Sequence, residues 1–342
     1  MPINKNRAVS IALLVIIIVV GVVIYNKWAM QPMQPTQNNA GLATKVTVGT
    51  YSGEYASLLY IADEKGYLRD EGIELAIKPY QFGILTIPDL ISGSLDMSLA
   101  NEFAPVVRSF DTPKLKILAS INKTNSYELI SRRDHGINLP ADLKGKKIGI
   151  PQNSQSEFFL GTFLAFNNLS RNDVHIVYIE PFDAVNKITS GEIDATLIWP
   201  PHSYDIAKIL GANAVIWPAQ NDQDAYFVLM SSEDYISKKA GVIEGMLRAL
   251  VAAQEFIKSN PEESQAIVVR RTNTDPDYIR SVWGANDFSV SLDQAMIVTM
   301  EDEARWAIKV KLTDQTKIPN YLNFFYFDAL EKVKKNAVTI IH

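Results

Sequence analysis

Cysteine is missing from all 342 residues. That absence excludes disulfides, thiolate nucleophiles, cysteine-held zinc, iron–sulfur clusters and a lipid-modified N-terminal cysteine. Positive charge is not in excess either. The formal net charge is −5, which gives a nucleic-acid partner no electrostatic support. The chain also lacks the H-E-x-x-H pair of zinc proteases, the G-x-S-x-G elbow of serine hydrolases and the phosphate-cradling P-loop. No catalytic residue, metal site or cofactor is expected. Long hydrophobic runs are scarce, with one exception. Lys5 and Arg7 precede an apolar run from Ala8 to Tyr25, about the least length that crosses hydrocarbon and longer than the usual core of a signal peptide. No small-residue cleavage site follows closely. Residues 1–28 are therefore expected to be an uncleaved membrane anchor with a cytoplasmic N-terminus. Residues 29–44, rich in Pro, Gln and Asn, read as a tether. The rest of the chain would then lie outside the membrane, on the extracytoplasmic side.

What remains has an ordinary globular balance, 47% hydrophobic and 21% charged, and enough length for two domains. From Lys45 the pattern alternates strands and helices. IELAIKPY (73–80) places Ile73, Leu75 and Ile77 on one face, a strand pattern, and Ile84 to Ile91 follows at helical spacing. The order begins again at YELISRR (127–133) and KKIGI (146–150). Such alternation predicts an α/β fold with mixed, mostly parallel sheets and flanking helices. After residue 233 the chain reads as helical, with Asp275-Pro276 as an N-cap followed by a first-turn proline and Ser291 with Gln294 as a capping box.

One phrase is written twice. SGSLDMSL (92–99) returns as SGEIDATL (190–197), and each copy follows a strand that ends in glycine, Gly49 in the first half and Gly149 in the second. The two halves are expected to share a ground plan. Within the phrase the glycine tolerates positive φ after a helix, the aliphatic residue packs, and Asp96 or Asp194 bonds backbone at the strand entrance.

Five stretches in order carry a resemblance: EKGYLRDEGIELAI (64–77), SGSLDMSLA (92–100), HGINLPADLKGKKIGIPQNS (135–154), SGEIDATLIWPP (190–201) and LRALVAAQEFIKSNPEE (247–263). Together they resemble the extracytoplasmic solute-binding proteins of ABC importers, in the nitrate/sulfonate/taurine and thiamine-precursor (NMT1/THI5-like) family. The resemblance implies a two-lobed, periplasmic-binding-protein-like (type II) fold. Residues 45–124 plus 223–342 would form one lobe and residues 125–222 the other. A small polar or anionic solute would bind between the lobes, and the closed form would dock on a permease with its ATPase. The alternatives are a sensor domain working with a separate signalling partner, and a pyrimidine-synthase-like enzyme. Zero cysteines and an export anchor oppose the enzyme.

Ligands of such folds bind beyond the carboxyl ends of the strands. Ser52, Gly53 and Glu54 are expected there after the first strand, Gln81 and Phe82 after the second, and Asn101 and Glu102 after the third, with Phe103 as a wall aromatic. In the second half, Asn153, Ser154, Gln155 and Ser156 sit at a helix start, where unpaired N–H groups favour an anion. Trp199 ends a strand, and Asp224 and Tyr226 lie at the second crossing between lobes. The acids among these favour a solute with a cationic or N–H-donating end. His202 is expected to be a satisfied surface histidine.

Overall fold

The computed structural model describes residues 43–111 and 114–342. The expected anchor and almost all of the expected tether lie outside these residues. Among the described residues, no helix is long and apolar enough to cross a membrane.

Eleven strands are named here in chain order. They are β1 (Thr44–Tyr51), β2 (Ile73–Tyr80), β3 (Met97–Asn101), β4 (Leu115–Thr124), β5 (Glu128–Arg132), β6 (Lys147–Ile150), β7 (His175–Tyr178), β8 (Ala195–Ile198), β9 (Ala214–Pro218), β10 (Ala225–Ser232) and β11 (Asn286–Asp287). They form two sheets, ordered β11-β4-β10-β3-β1-β2 and β7-β6-β8-β5-β9. Parallel pairing joins β2, β1 and β3 in one sheet and β7, β6 and β8 in the other. These strands are separated in sequence by helical crossovers, as parallel neighbours must be. The strands beside the two crossings, β4, β5, β9 and β10, pair antiparallel. Parallel order is thus confined to three strands of each sheet.

The doubled phrase does the same work in both sheets. A Cβ on Gly49 would fall 2.4 Å from Leu95 Cδ1, and one on Gly149 would fall 2.5 Å from Ile193 Cδ1. The aliphatic residue of each phrase therefore occupies the space its glycine leaves empty. The acid of each phrase pins the same strand. Asp96 Oδ2 accepts from the Thr47 amide at 2.7 Å, and Asp194 Oδ2 accepts from the Lys147 amide at 2.8 Å. Gly93 and Gly191 sit at φ +78° and +82°, which closes each preceding helix at little steric cost.

Two buried apolar clusters back the sheets. One gathers Val46 through Ile121 with Tyr226 through Ile340, and the other gathers Tyr127 through Ala225. Phe103 belongs to the second cluster although it lies in the first half of the chain. The C-terminal helix Gln294–Lys309 also reaches across: the Trp306 ring stands 6.0 Å from Phe103 and 5.8 Å from Phe158. The chain passes between the sheets twice, from Thr124 to Glu128 and from Pro218 to Ala225. Gln220 is buried between the passages. Its Oε1 accepts from the Tyr127 amide at 2.8 Å, and its Nε2 donates to the carbonyls of Thr124 and Gln223, both at 2.9 Å.

Two terminal signals resolve differently from the sequence pattern. Asp275 caps its helix as expected, accepting from the Asp277 amide at 2.9 Å. Ser291 does not form a capping box. Its backbone pairs with Ser120, and Asp293 takes the N-cap position of Gln294–Lys309. The long helix Glu233–Ser259 starts well before the apolar periodicity at Val242, because a non-helical residue, Lys239, breaks the phase of its first turns.

Candidate functional site

The strand ends of both sheets meet around one cavity. From the first sheet come Thr50 and Tyr51 at the end of β1, Phe82 to Ile84 just beyond β2, Leu99 to Asn101 at the end of β3, and Phe227 in β10. From the second come Tyr127 before β5, Asn153 to Gln155 beyond β6, and Trp199 beyond β8. Seven aromatic residues line the space: Tyr51, Tyr55, Phe82, Phe103, Tyr127, Trp199 and Phe227. Two rings are held in place by stacking, Tyr55 on Phe227 with centroids 4.0 Å apart and planes 5° from parallel. Tyr127 packs between Phe159 and Trp199, at 4.9 and 6.2 Å. The polar functions on the wall are amides and hydroxyls, and among the described residues no lysine, arginine, aspartate or glutamate lines it.

Of the residues expected at the site, seven line this cavity: Phe82, Asn101, Phe103, Asn153, Ser154, Gln155 and Trp199. The others sit elsewhere. Ser52 and Gln81 are exposed, while Gly53 is buried in extended conformation ahead of a short turn of helix. Glu54 is fully buried, and the Tyr278 hydroxyl donates to its Oε2 at 2.6 Å. Burial pushes its carboxyl up to about 7. Glu102 is also fully buried, and burial pushes its carboxyl up to about 8. Its Oε2 accepts from the Tyr226 amide at 2.9 Å, so Tyr226 engages Glu102 through its backbone. Ser156 is buried with its hydroxyl unpartnered, and Asp224 stands half-buried beside the second crossing. His202 differs from its expected surface setting. It is buried against the rings of Phe182 and Trp199, its Nε2 has no partner, and desolvation lowers its pKa.

The helix start at Gln155–Phe166 carries its own negative group. The Asn153 amide donates to Glu157 Oε2 at 2.9 Å, and Glu157 Oε1 accepts from Tyr178 at 2.8 Å and Arg171 at 3.1 Å. Ser154 does not cap the helix with its hydroxyl, which donates instead to the Pro151 carbonyl at 2.6 Å.

Sequence reasoning missed Thr50, Tyr51, Tyr55, Tyr127 and Phe227. The first strand runs two residues past Gly49, which moves the wall from Ser52–Glu54 back to Thr50 and Tyr51. Phe227 lies within a strand and reaches the cavity only because the sheet register sets it opposite Asn101. Register of that kind has no local signal in the chain.

This architecture of two mixed sheets with a cavity at their facing strand ends is the two-lobed, periplasmic-binding-protein-like fold. The periplasmic aliphatic sulphonate binding protein SsuA from Escherichia coli superposes with a TM-score of 0.70 at 18% identity, covering 82% of this chain and 92% of that one. The desulfurization enzyme DszB shares the fold as well, with a TM-score of 0.63 at 15% identity over 85% and 99% of the two chains. The family described as NMT1/THI5 like matches residues 54–264, more than half of the chain, and the protein belongs to that family. Among its relatives, the formylaminopyrimidine-binding protein of Halalkalibacterium halodurans is 27% identical over 242 residues, 68% of this chain and 70% of its own length.

Proposed function

We propose that this protein is an extracytoplasmic solute-binding protein that takes a small, uncharged, ring-bearing solute into the cavity between the sheets and passes it to an ABC permease with its ATPase. The observation that carries the reading is the cavity wall, which offers aromatic faces, amides and hydroxyls and no formal charge. A sulfonate or nitrate would leave water and meet no cation there, which is costly. A planar heterocycle would stack on the rings and spend its polar edge on the amides. Among the solute classes open to the family, thiamine-precursor pyrimidines fit this chemistry, and the formylaminopyrimidine-binding relative supports that choice. Phe82, Asn101, Phe103, Asn153, Ser154, Gln155 and Trp199 are the contacts proposed from both the sequence and the cavity.

In this reading residues 45–124 with 223–342 form one lobe and residues 125–222 the other. Closure shifts a population toward the form that binds the solute better. Residues 1–28 hold the protein at the membrane, and residues 29–44 let the lobes reach the permease. The protein binds and does not convert. Glu54, Glu102 and Glu303, the fully buried carboxyls that burial raises, all stand off the wall.

Thermal melting of the full-length protein with 4-amino-2-methylpyrimidine, taurine, an alkanesulfonate and nitrate tests the proposal. The pyrimidine is expected to raise the melting temperature by mass action and to be recovered unchanged. A response to the sulfonate alone would overturn the solute class. A chemically altered solute would overturn the binding role.

A further inference from the structure

Behind the cavity wall, three side chains from distant parts of the chain meet on one nitrogen. Gln155 Nε2 donates to Glu102 Oε1 at 2.9 Å and to Glu303 Oε1 at 2.8 Å. Glu102 and Glu303 are both fully buried. Glu303 comes from the helix Gln294–Lys309, beyond the stretch that the family description covers. An amide atom that faces two carboxyl groups at once is its NH2 end, which has two hydrogens to give; an oxygen there would face two acceptors. A protonated carboxyl keeps this polarity with its proton on Oε2, which leaves Oε1 as the acceptor that faces Gln155. Burial raises both carboxyls, and Glu303 Oε2 has no partner.

The fixed amide then orients its neighbour. Gln155 Oε1 accepts from Asn101 Nδ2 at 3.0 Å, and the same nitrogen reaches the Tyr127 hydroxyl oxygen at 3.4 Å. Both Asn101 hydrogens are thereby spent, and the free pole of this wall residue is its Oδ1. The Tyr127 hydroxyl, having accepted, keeps its own proton to give. Both residues line the cavity.

We propose that Glu102 and Glu303 are positioning residues for solute selection: through Gln155 they lock Asn101 with its carbonyl oxygen toward the cavity, so the wall pairs an acceptor with the Tyr127 hydroxyl and selects a solute whose N–H donor adjoins a ring acceptor. The inference rests on the solute-binding reading above and names the edge of the solute that is recognised. Removing both acids while keeping their shape reverses the relay. In Glu102→Gln/Glu303→Gln the Tyr226 amide holds the new carbonyl oxygen at position 102. The new NH2 group at 102 then faces Gln155, whose amide turns over, with the unanchored amide at 303 free to follow, and turns Asn101 with it.

The experiment compares two probes of equal shape on the full-length protein, 4-amino-2-methylpyrimidine, which has the donor, and 2,4-dimethylpyrimidine, which lacks it. Calorimetry is expected to show the wild type preferring the amino compound by about tenfold, the worth of one buried hydrogen bond. The double variant is expected to lose or invert that preference. A double variant that melts cooperatively and keeps the wild-type preference overturns the relay. A second readout needs no solute. The Gln155 side-chain N–H signals, assigned by their loss in Gln155→Met, are expected to exchange slowly with water in the wild type. Fast exchange overturns the relay whether or not a pyrimidine binds. Slow exchange with neither probe bound supports the relay and overturns only the pyrimidine reading.

Discussion

Gly149 shows how much one missing side chain decides. Its strand, β6, lies against Ile193 with no room for a methyl group, and Ile179 Cδ1 stands 3.0 Å from the same point. Gly149→Ala is expected to destabilise the protein by about 1–3 kcal/mol through overpacking. Ile193→Val removes the Cδ1 that the new methyl would strike, so in the double variant part of the loss should return. Chemical denaturation of the four proteins of that cycle measures the coupling. If the two changes simply add, the packing account of the doubled phrase fails. These residues were legible from the chain because the phrase occurs twice, and a repeated glycine, aliphatic and acid at fixed spacing reports a repeated backbone need. Tyr127 and Phe227 were not legible, since nothing near them in sequence distinguishes a wall aromatic from a core aromatic.

Among the elements, the parallel strands and the paired Ser-Gly turns could be read from alternation and punctuation. What could not be read was the extension of β1 to Tyr51, which displaced the expected first loop of the site by two residues. The helices Phe103–Ser109 and His202–Leu210 also escaped, being short and begun directly after a strand end. The two passages between the sheets depend on one amide. Gln220→Met keeps the volume and removes three hydrogen bonds, leaving the Tyr127 amide without its acceptor. The variant is expected to lose about 2 kcal/mol of stability, and the Tyr127 amide should exchange faster with solvent than the amides of β6. Unchanged exchange at Tyr127 would mean that the passages are held by something other than Gln220.

At the scale of the whole molecule, buried acids set the response to pH. Glu54 and Glu102 rise from 4.5 to about 7 and about 8 because burial disfavours the ionised form. The folded protein therefore holds protons that the unfolded chain gives up above about 4.5. The stability these groups contribute is complete below that value and declines as pH rises through 7 and 8. The melting temperature should fall between pH 5.5 and 8.5, by about 5 °C for a loss near 2 kcal/mol. Glu54→Gln should flatten the lower part of that decline. Asp194, which the Lys147 amide and His135 hold below its usual value despite partial burial, acts in the opposite sense but in a more acidic window. A melting temperature that rises from pH 5.5 to 8.5 would show that these carboxyls are ionised in the fold.

The sheet order has a consequence for how the molecule is made. β10 lies between β3 and β4, so β4 has no seat beside the first three strands until residues 225–232 have been synthesised. The strands of the other sheet all fall within one continuous segment, residues 128–218. Emerging from the ribosome or a translocation pore, the middle of the chain has every strand partner it needs while the beginning still waits for one. The assembly sequence thus runs from the centre outward, and the half that starts the polypeptide is the last to be finished.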